Sequence, residues 1–299
     1  MDQFQQIESF VAVVQNGSFV QAAERLNSSK AVVSRRVIEL EARLGTRLLN
    51  RTTRRLSLTA SGSDYFERSR QILDDLSEAN AAASATTAHA AGRLKVNAPL
   101  SFGNLHLAPL WGEFLQLHSQ VTLDVSLTDR VVDLVDEGFD LAVRIGRLNS
   151  ATLVARKLAS DRILLCASPA YLQRTPPVAQ LQDLVSHSVM AYAWWSGGDV
   201  WEFTGPDGQT ASVATHPRLR ANSGDTCRAA ALAGQGIIYQ PAFLVGRDVQ
   251  AGRLVELLPH YRGPTIDIHA VYPSRRHVPG KVRAMVDFLV EAFAQPGWR

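Results

Sequence analysis

Two short stretches near the start of the chain carry groups suited to holding a polyanion. In the first, Lys30, Ala31, Ser34 and Arg35 fall on one edge of a helix that Ser29 can cap. Small side chains on such an edge let a backbone approach closely, and long donors reach base edges in a DNA major groove. Arg36 lies about 100° further round the same helix, where it would meet phosphate instead. In the second stretch, Arg51, Thr52, Thr53 and Arg54 sit between two short apolar segments, at what reads as the tip of a tight hairpin. Guanidinium and hydroxyl groups there are good phosphate ligands. The plain alternative is an ordinary solvated helix face beside an ordinary polar turn.

The charge distribution favours the first reading. The net charge of +3 hides a division: residues 1–58 hold nine Lys and Arg against five Asp and Glu, and the remainder holds 22 against 23. A small basic module is thus joined to a near-neutral remainder. A length of 299 residues implies more than one domain. No apolar run reaches the length of a membrane span, and Met1–Gln6 lacks the basic start and apolar stretch of a secretion signal, so the cytoplasm is expected.

Catalytic signatures are missing. The eight histidines form no HxxxH or HExxH pair, there is no GxSxG, and Gly234-Gln235-Gly236 is too short for a dinucleotide loop and precedes a strand. No metal, cofactor or catalytic residue is expected. Cys166 and Cys227 lie in apolar surroundings without a CxxC partner. Buried structural thiols are the expectation, with a reactive or effector-sensing thiol as the alternative.

The elements that must position the basic groups are legible one by one. Asp2 with Gln5 forms a capping-box pattern, and Phe4, Ile7, Val11 and Val14 give one apolar face up to Asn16-Gly17. Ser18 with Gln21 starts a second helix at once, burying Phe19, Ala22, Ala23 and Leu26. Ser29 opens a third, which turns Val32, Val33, Val37, Leu40 and Leu44 inward and stops at Gly45. Short helices joined by a tight turn make a helix-turn-helix, and the hairpin is its wing. Thr59 then caps a long helix through about Thr87. Along it Tyr65, Ser69, Ile72, Leu76, Ala79, Ala83 and Thr86 form a heptad seam. Such a stripe calls for a partner, most simply the same helix of a second copy, or failing that the chain's own second domain. The segment 85–92 reads as a hinge, with His89 solvated.

Beyond Arg93, strands alternate with helices: strands at 94–98, 121–127, 139–144, 162–167, 218–221, 237–240 and 266–272, helices at 102–117, 131–137, 224–233 and 280–293, with a further helix opening at Ser168-Pro169. This pattern predicts a parallel sheet with crossover helices. Such sheets bind ligands where strand ends meet helix starts. Those junctions are Pro99-Leu100-Ser101-Phe102, Thr128-Asp129-Arg130, Ser168-Pro169 and Asn222-Ser223-Gly224-Asp225. Hydroxyl and free N–H groups there suit an anion; the alternative is that each residue serves only as the cap of its helix, Asp129 most of all. Tyr192, Trp194 and Trp195 would supply an aromatic wall or fill a core.

The order Gly17-Ser18-Phe19, Ala22-Ala23-Glu24-Arg25-Leu26, Ser34-Arg35-Arg36-Val37, Leu44-Gly45, Arg51-Thr52-Thr53-Arg54 and Leu58-Thr59 resembles the DNA-binding domain of LysR-type transcriptional regulators. Lys30 departs from it, standing where that family usually has an uncharged residue. Val96-Asn97-Ala98-Pro99, Gly138–Gly146 and Ala167–Leu172 resemble the effector domain of the same family, in the subgroup resembling the meningococcal contact-regulated repressor. The resemblance implies an α/β architecture in three parts: a winged helix-turn-helix over 1–58, a linker dimerisation helix over 59–89, and a two-lobed effector domain like a periplasmic binding protein over 90–299. It implies a regulator that binds a double-stranded operator through the two basic stretches. A small effector, expected to be anionic, would lie near Ser101, Phe102, Thr128, Asp129, Ser168, Asn222 and Gln240. It further implies a homodimer or larger assembly and contact with RNA polymerase. An enzyme on the same lobes, or a transport-type binding protein, is the rival; the basic helix-turn-helix speaks against both.

Overall fold

The structure, a computed structural model, describes residues 2–51, 56–84, 90–148, 153–274 and 278–298, with the backbone alone at 51, 74, 75 and 77–84. It divides into two compact units, Met1–His89 and Ala90–Arg299.

In the first unit each helix begins at a side-chain cap. Helix α1 (Gln3–Asn16) starts where Asp2 Oδ1 accepts the Phe4 N–H at 3.0 Å, and ends at Gly17, whose φ of 61° lies in the left-handed region that glycine adopts without strain. Ser18 caps α2 (Phe19–Arg25) by accepting from Val20 and Gln21 N–H. Ser29 caps α3 (Lys30–Leu44) by accepting from Val32 N–H at 3.3 Å. Ile7, Phe10, Val13, Ala22, Val33, Val37 and Leu40 close the core between them. The apolar stripe read from the sequence is too long at its ends. Phe4 and Leu44 are exposed and Val32 is half-buried, because helical spacing fixes the direction of a face but not how far along it a neighbour extends.

Strands β1 (Leu49–Arg51) and β2 (Leu56–Leu58) pair antiparallel as the wing's stem. The carboxylate of Glu41 on α3 accepts the N–H groups of Leu48 and Leu49 at 2.9 and 3.0 Å, which fastens the stem to the helix. Thr59 caps the long helix α4 (Ala60–Ser84), accepting from Gly62 N–H at 2.9 Å and donating to Arg47 O at 2.8 Å. Gly62 has no room for a side chain, since a Cβ would lie 2.0 Å from the Leu48 carbonyl oxygen. With 25 residues at about 1.5 Å each, α4 is a rod of about 38 Å. Tyr65 and Phe66 pack on Phe10, Leu73 joins the same core, and Ser69 is buried. The expected seam therefore needs correction at its start. Tyr65 and Ser69 belong to this unit's own core, while Ile72 and Leu76 are exposed. The side chains of Ala79 and Ala83, and all of Thr86 and His89, lie outside the described residues.

In the second unit, β3 (Gly92–Ala98), β4 (Val121–Leu127) and β5 (Leu141–Ile145) are parallel. Between β3 and β4 the chain is helical from Leu100 to Leu117: α5 (Leu100–Phe102), a π turn over Gly103–Leu107, and α6 (Ala108–Leu117). Strand β6 (Leu153–Ala167) spans 15 residues. Next come α7 (Pro169–Leu172), β7 (Val189–Tyr192), the hairpin β8 (Val200–Thr204) with β9 (Thr210–Ala214), β10 (Pro217–Ala221) and α8 (Gly224–Leu232). The chain closes through β11 (Ile237–Pro241), α9 (Ala242–Gln250), β12 (Val255–Glu256), β13 (Thr265–Pro273) and α10 (Gly280–Ala292). The strand order is β10-β7-β11-β6-β13-β5-β3-β4.

Two strands make this sheet two-lobed. β13 pairs antiparallel with both β5 and β6, and the far end of β6 pairs antiparallel with β11 and β12. The first lobe is built on β3, β4 and β5, the second on β7, β10 and β11, and the crossing strands β6 and β13 connect them. The expected all-parallel sheet is therefore mixed. The strand expected at 162–167 is only the second half of β6; the first half is mostly exposed and shows no clean alternation that a sequence pattern could reveal. β7, the β8–β9 hairpin and α9 were not anticipated. The helix expected at 131–137 is instead a turn, in which the Asp133 carboxylate accepts the N–H groups of Val135 and Asp136, a local bond that competes with helix. Cys166 and Cys227 are both buried and free; burial pushes the Cys227 thiol up to about 11 and Cys166 higher still, so each is a protonated thiol packed in apolar surroundings.

Candidate nucleic-acid interface and effector cleft

The start of α3 presents an open polar edge. Ser29, Lys30, Ala31 and Arg35 are exposed and Ser34 is half-buried. Arg35 keeps 60% of its side chain in water, and its nearest acid is Glu39, 3.8 Å away. A contact that long between exposed groups contributes little and leaves the guanidinium available. Arg36 is placed otherwise. Its Nη2 donates to Gln5 Oε1 on α1 at 2.9 Å, and the neighbouring Gln6 Nε2 donates to Glu39 Oε2 at 3.0 Å. Arg36 thus helps fix the angle of α3 against α1, a role the sequence reading did not foresee. The wing tip residues Thr52, Thr53 and Arg54, and the side chain of Arg51, lie outside the described residues.

The second unit brings together most of the strand ends named from the sequence. Ser101, just after β3, is buried, and its hydroxyl donates to Asp225 Oδ2 at 2.6 Å. Asp129, just after β4, accepts the N–H of Leu100 at 2.8 Å, so it serves the first turn of α5 and not the helix expected after it at 131–137, and Tyr192 at the end of β7 lies within reach of its charge. Burial first, and Asp129 beside it, push the Tyr192 phenol well above its usual value, so the group acts as a donor. Thr128 is half-buried and accepts from Arg130 N–H at 3.2 Å. Ser223 caps α8, and Asn222 beside it is exposed. Gln240, at the end of β11, is buried, and its amide Nε2 has no partner among the described residues. The position a Cβ would take on Gly224 lies 3.3 Å from Gln240 Oε1 and 3.6 Å from Ser101 Oγ, so these groups converge on the first turn of α8.

Two expected members are elsewhere. Phe102 is fully buried, with its ring edge-on to Phe243 and Trp298 and close to Phe293, so it supports the site without reaching it. Ser168 follows β6, which runs antiparallel to β11: Pro241 pairs with Ile163, while Cys166 pairs with Ile238. Gln240 and Ser168 therefore sit at opposite ends of the same strand pair. The assumption of parallel strands put Ser168 on the wrong edge. Of the aromatic trio, Tyr192 reaches the cleft, Trp194 is exposed and Trp195 packs on Tyr239. A cavity of about 460 Å³ lies apart from these groups, between β6 and α9, lined by Leu164, Ala242, Gly246, Val249 and Trp298 among others.

Comparison with known proteins agrees with both halves of this geometry. Residues 4–63 match the family model described as a bacterial regulatory helix-turn-helix protein of the lysR family, and residues 87–294 match the LysR substrate binding domain. A transcriptional repressor of Pseudomonas aeruginosa is 35% identical over 300 residues, covering 99% of this chain and 93% of its own length. The transcriptional regulator CrgA of Neisseria meningitidis is 33% identical over 288 residues, 96% of either chain. The solved structure of that regulator superposes with a TM-score of 0.63, covering 97% of this chain and 98% of its own. The full-length virulence activator AphB of Vibrio cholerae gives 0.61 at 26% identity, with 96% and 98% covered.

Proposed function

The chain belongs to the LysR family of transcriptional regulators, combining a DNA-binding helix-turn-helix with an effector-binding domain, and we propose a specific division of labour among its residues. The first turns of α3 enter the major groove, with Lys30, Ala31, Ser34 and Arg35 toward base edges and Ser29 near the backbone. The wing residues Arg51, Thr52, Thr53 and Arg54 hold phosphate. Helix α4 pairs with its counterpart in a second copy through Ile72 and Leu76, giving a dimer that assembles further and contacts RNA polymerase in the cytoplasm. The protein binds and regulates; it does not catalyse.

A small effector occupies the cleft between the lobes, held by Ser101, Thr128, Asn222 and Gln240. The observation that carries this is the convergence of Ser101, Gln240 and the start of α8 from separate strands of both lobes onto one point, with a buried amide donor left unpartnered there. A buried amide without a partner costs about 1–3 kcal/mol, which a ligand acceptor would recover. The test begins with genomic footprinting, which identifies operators and, through the neighbouring genes, candidate effectors. Calorimetry on the full chain then compares wild type with the variant carrying Ser101→Ala, Thr128→Ala and Asn222→Ala together. Loss of tenfold or more in effector affinity is expected. Equal affinity would place the effector elsewhere, the cavity beside Trp298 first.

A further inference from the structure

The cleft holds a carboxylate of its own. We propose that Asp225 is an internal ligand of the effector site: it occupies the Ser101 hydroxyl, holds the two lobes together when no effector is bound, and sets the site's selectivity against anions. This rests on the reading of the cleft as the effector site.

The geometry is specific. Ser101 belongs to the first lobe, after β3, and Asp225 to the second, in the first turn of α8. Their 2.6 Å bond is short, as expected for a hydroxyl donating to an ionised carboxylate. Arg228, the cation nearest in sequence, feels the Asp225 charge but spends its hydrogen bonds on the fully buried Asp248. A second hydroxyl lies beside a carboxylate with the lobes exchanged: Tyr192 from β7 of the second lobe is close enough to Asp129, after β4 of the first, for that charge to help push its phenol up, after burial.

This arrangement restricts the ligand. An effector acceptor can reach Ser101 only by displacing Asp225, and a displaced carboxylate stays within the same first turn of α8. A carboxylate or phosphate on the effector must then share a partly buried site with Asp225 and Asp129, at the cost of like-charge repulsion. A ligand that offers a neutral acceptor to Ser101 and the Gln240 amide, and a hydroxyl or amine donor to the released Asp225, meets no such opposition. The preferred class is therefore a neutral or donor-bearing polar molecule, and the anion expected from the sequence is disfavoured by this one residue.

The experiment uses the full chain in five forms: wild type, S101A, D225A, the double variant, and D225N, which keeps an acceptor but removes the charge. Urea unfolding of the second unit is followed by tryptophan emission, since all five tryptophans lie beyond residue 90. Each single variant is expected to lower the midpoint, and the double variant to lower it no further than the larger single. Additive shifts would overturn the bridge. Inorganic phosphate, titrated as a plain anion, is expected to protect D225N at a concentration at least fivefold lower than wild type. The same phosphate response in both, including none in either, would overturn the selectivity. A coupled pair with the effector found elsewhere would instead leave the bridge standing and remove the effector reading.

Discussion

The two functional regions hold their polar groups in opposite ways. On the edge of α3 proposed to face DNA, Lys30 and Arg35 stand in water, supported from behind by Arg36 on Gln5 and Gln6 on Glu39. In the cleft, Ser101 is already bonded to Asp225, and Asp129 already accepts from Leu100 N–H. A surface that must meet a polyanion can be preformed, because water solvates its cations until the partner arrives. A buried site can leave few polar groups bare, so the cleft closes on itself around all but the Gln240 amide and must be opened. DNA binding is thus expected to need little rearrangement of the first unit, and effector binding to require motion of the lobes about β6 and β13.

The largest effect that sharpens this comparison concerns α4. Leu76 is exposed in the isolated chain, one turn beyond Ile72, on a helix whose inner face near Tyr65 and Phe66 is already used by the first unit's core. Leu76→Glu is expected to convert the assembly to monomers in sedimentation and to abolish operator binding, because a paired helix would bury the new charge without a partner. An unchanged assembly would show that the outer stripe of α4 is merely solvated.

A smaller effect separates the units by pH. The first 84 residues contain no histidine. In the second unit burial lowers the pKa of His106, His187 and His269, with Arg247 adding to it at His106 and Lys157 at His269. His187 is held by the Tyr171 hydroxyl, 3.0 Å from its Nδ1, and that hydroxyl also accepts from Ser188 N–H. Below about pH 6.5 the unfolded chain takes up protons at these positions that the folded chain resists. Stability of the second unit is therefore complete above that pH and declines as pH falls toward the lowered values, by at most about 1.4 kcal/mol per unit for each histidine. Calorimetric scans between pH 7.5 and 5.5 are expected to lower the melting of the second unit more than that of the first. Equal shifts would contradict the buried, neutral histidines.

The same contrast explains what could be read from the sequence. The helices of the first unit are set by neighbours within a few residues: Asp2, Ser18, Ser29 and Thr59 cap, Gly17 and Gly45 stop. Every one of those boundaries was legible. In the second unit the decisive facts are non-local. Pairing of β6 with both lobes, which moves Ser168 to the far edge, depends on contacts 72 to 120 residues away in sequence. The strand ends Ser101, Thr128 and Asn222 could be found because each follows a clear strand. The bond from Ser101 to Asp225 joins positions 124 residues apart and leaves no local trace. Arg35 and Arg36 show the limit at close range: adjacent and chemically identical, they are separated only by the helix rotation that turns one to water and the other to Gln5.

That pair of arginines also gives the most direct test of the DNA-reading surface. Affinities of wild type and Arg35→Ala are measured for the footprinted operator and for random duplex of equal length, at several salt concentrations. Loss of about 1–3 kcal/mol on the operator is expected, with much less on random DNA and little change in the salt slope, as for a side chain that reads base edges. Equal loss on both duplexes would contradict the placement of α3 in the groove.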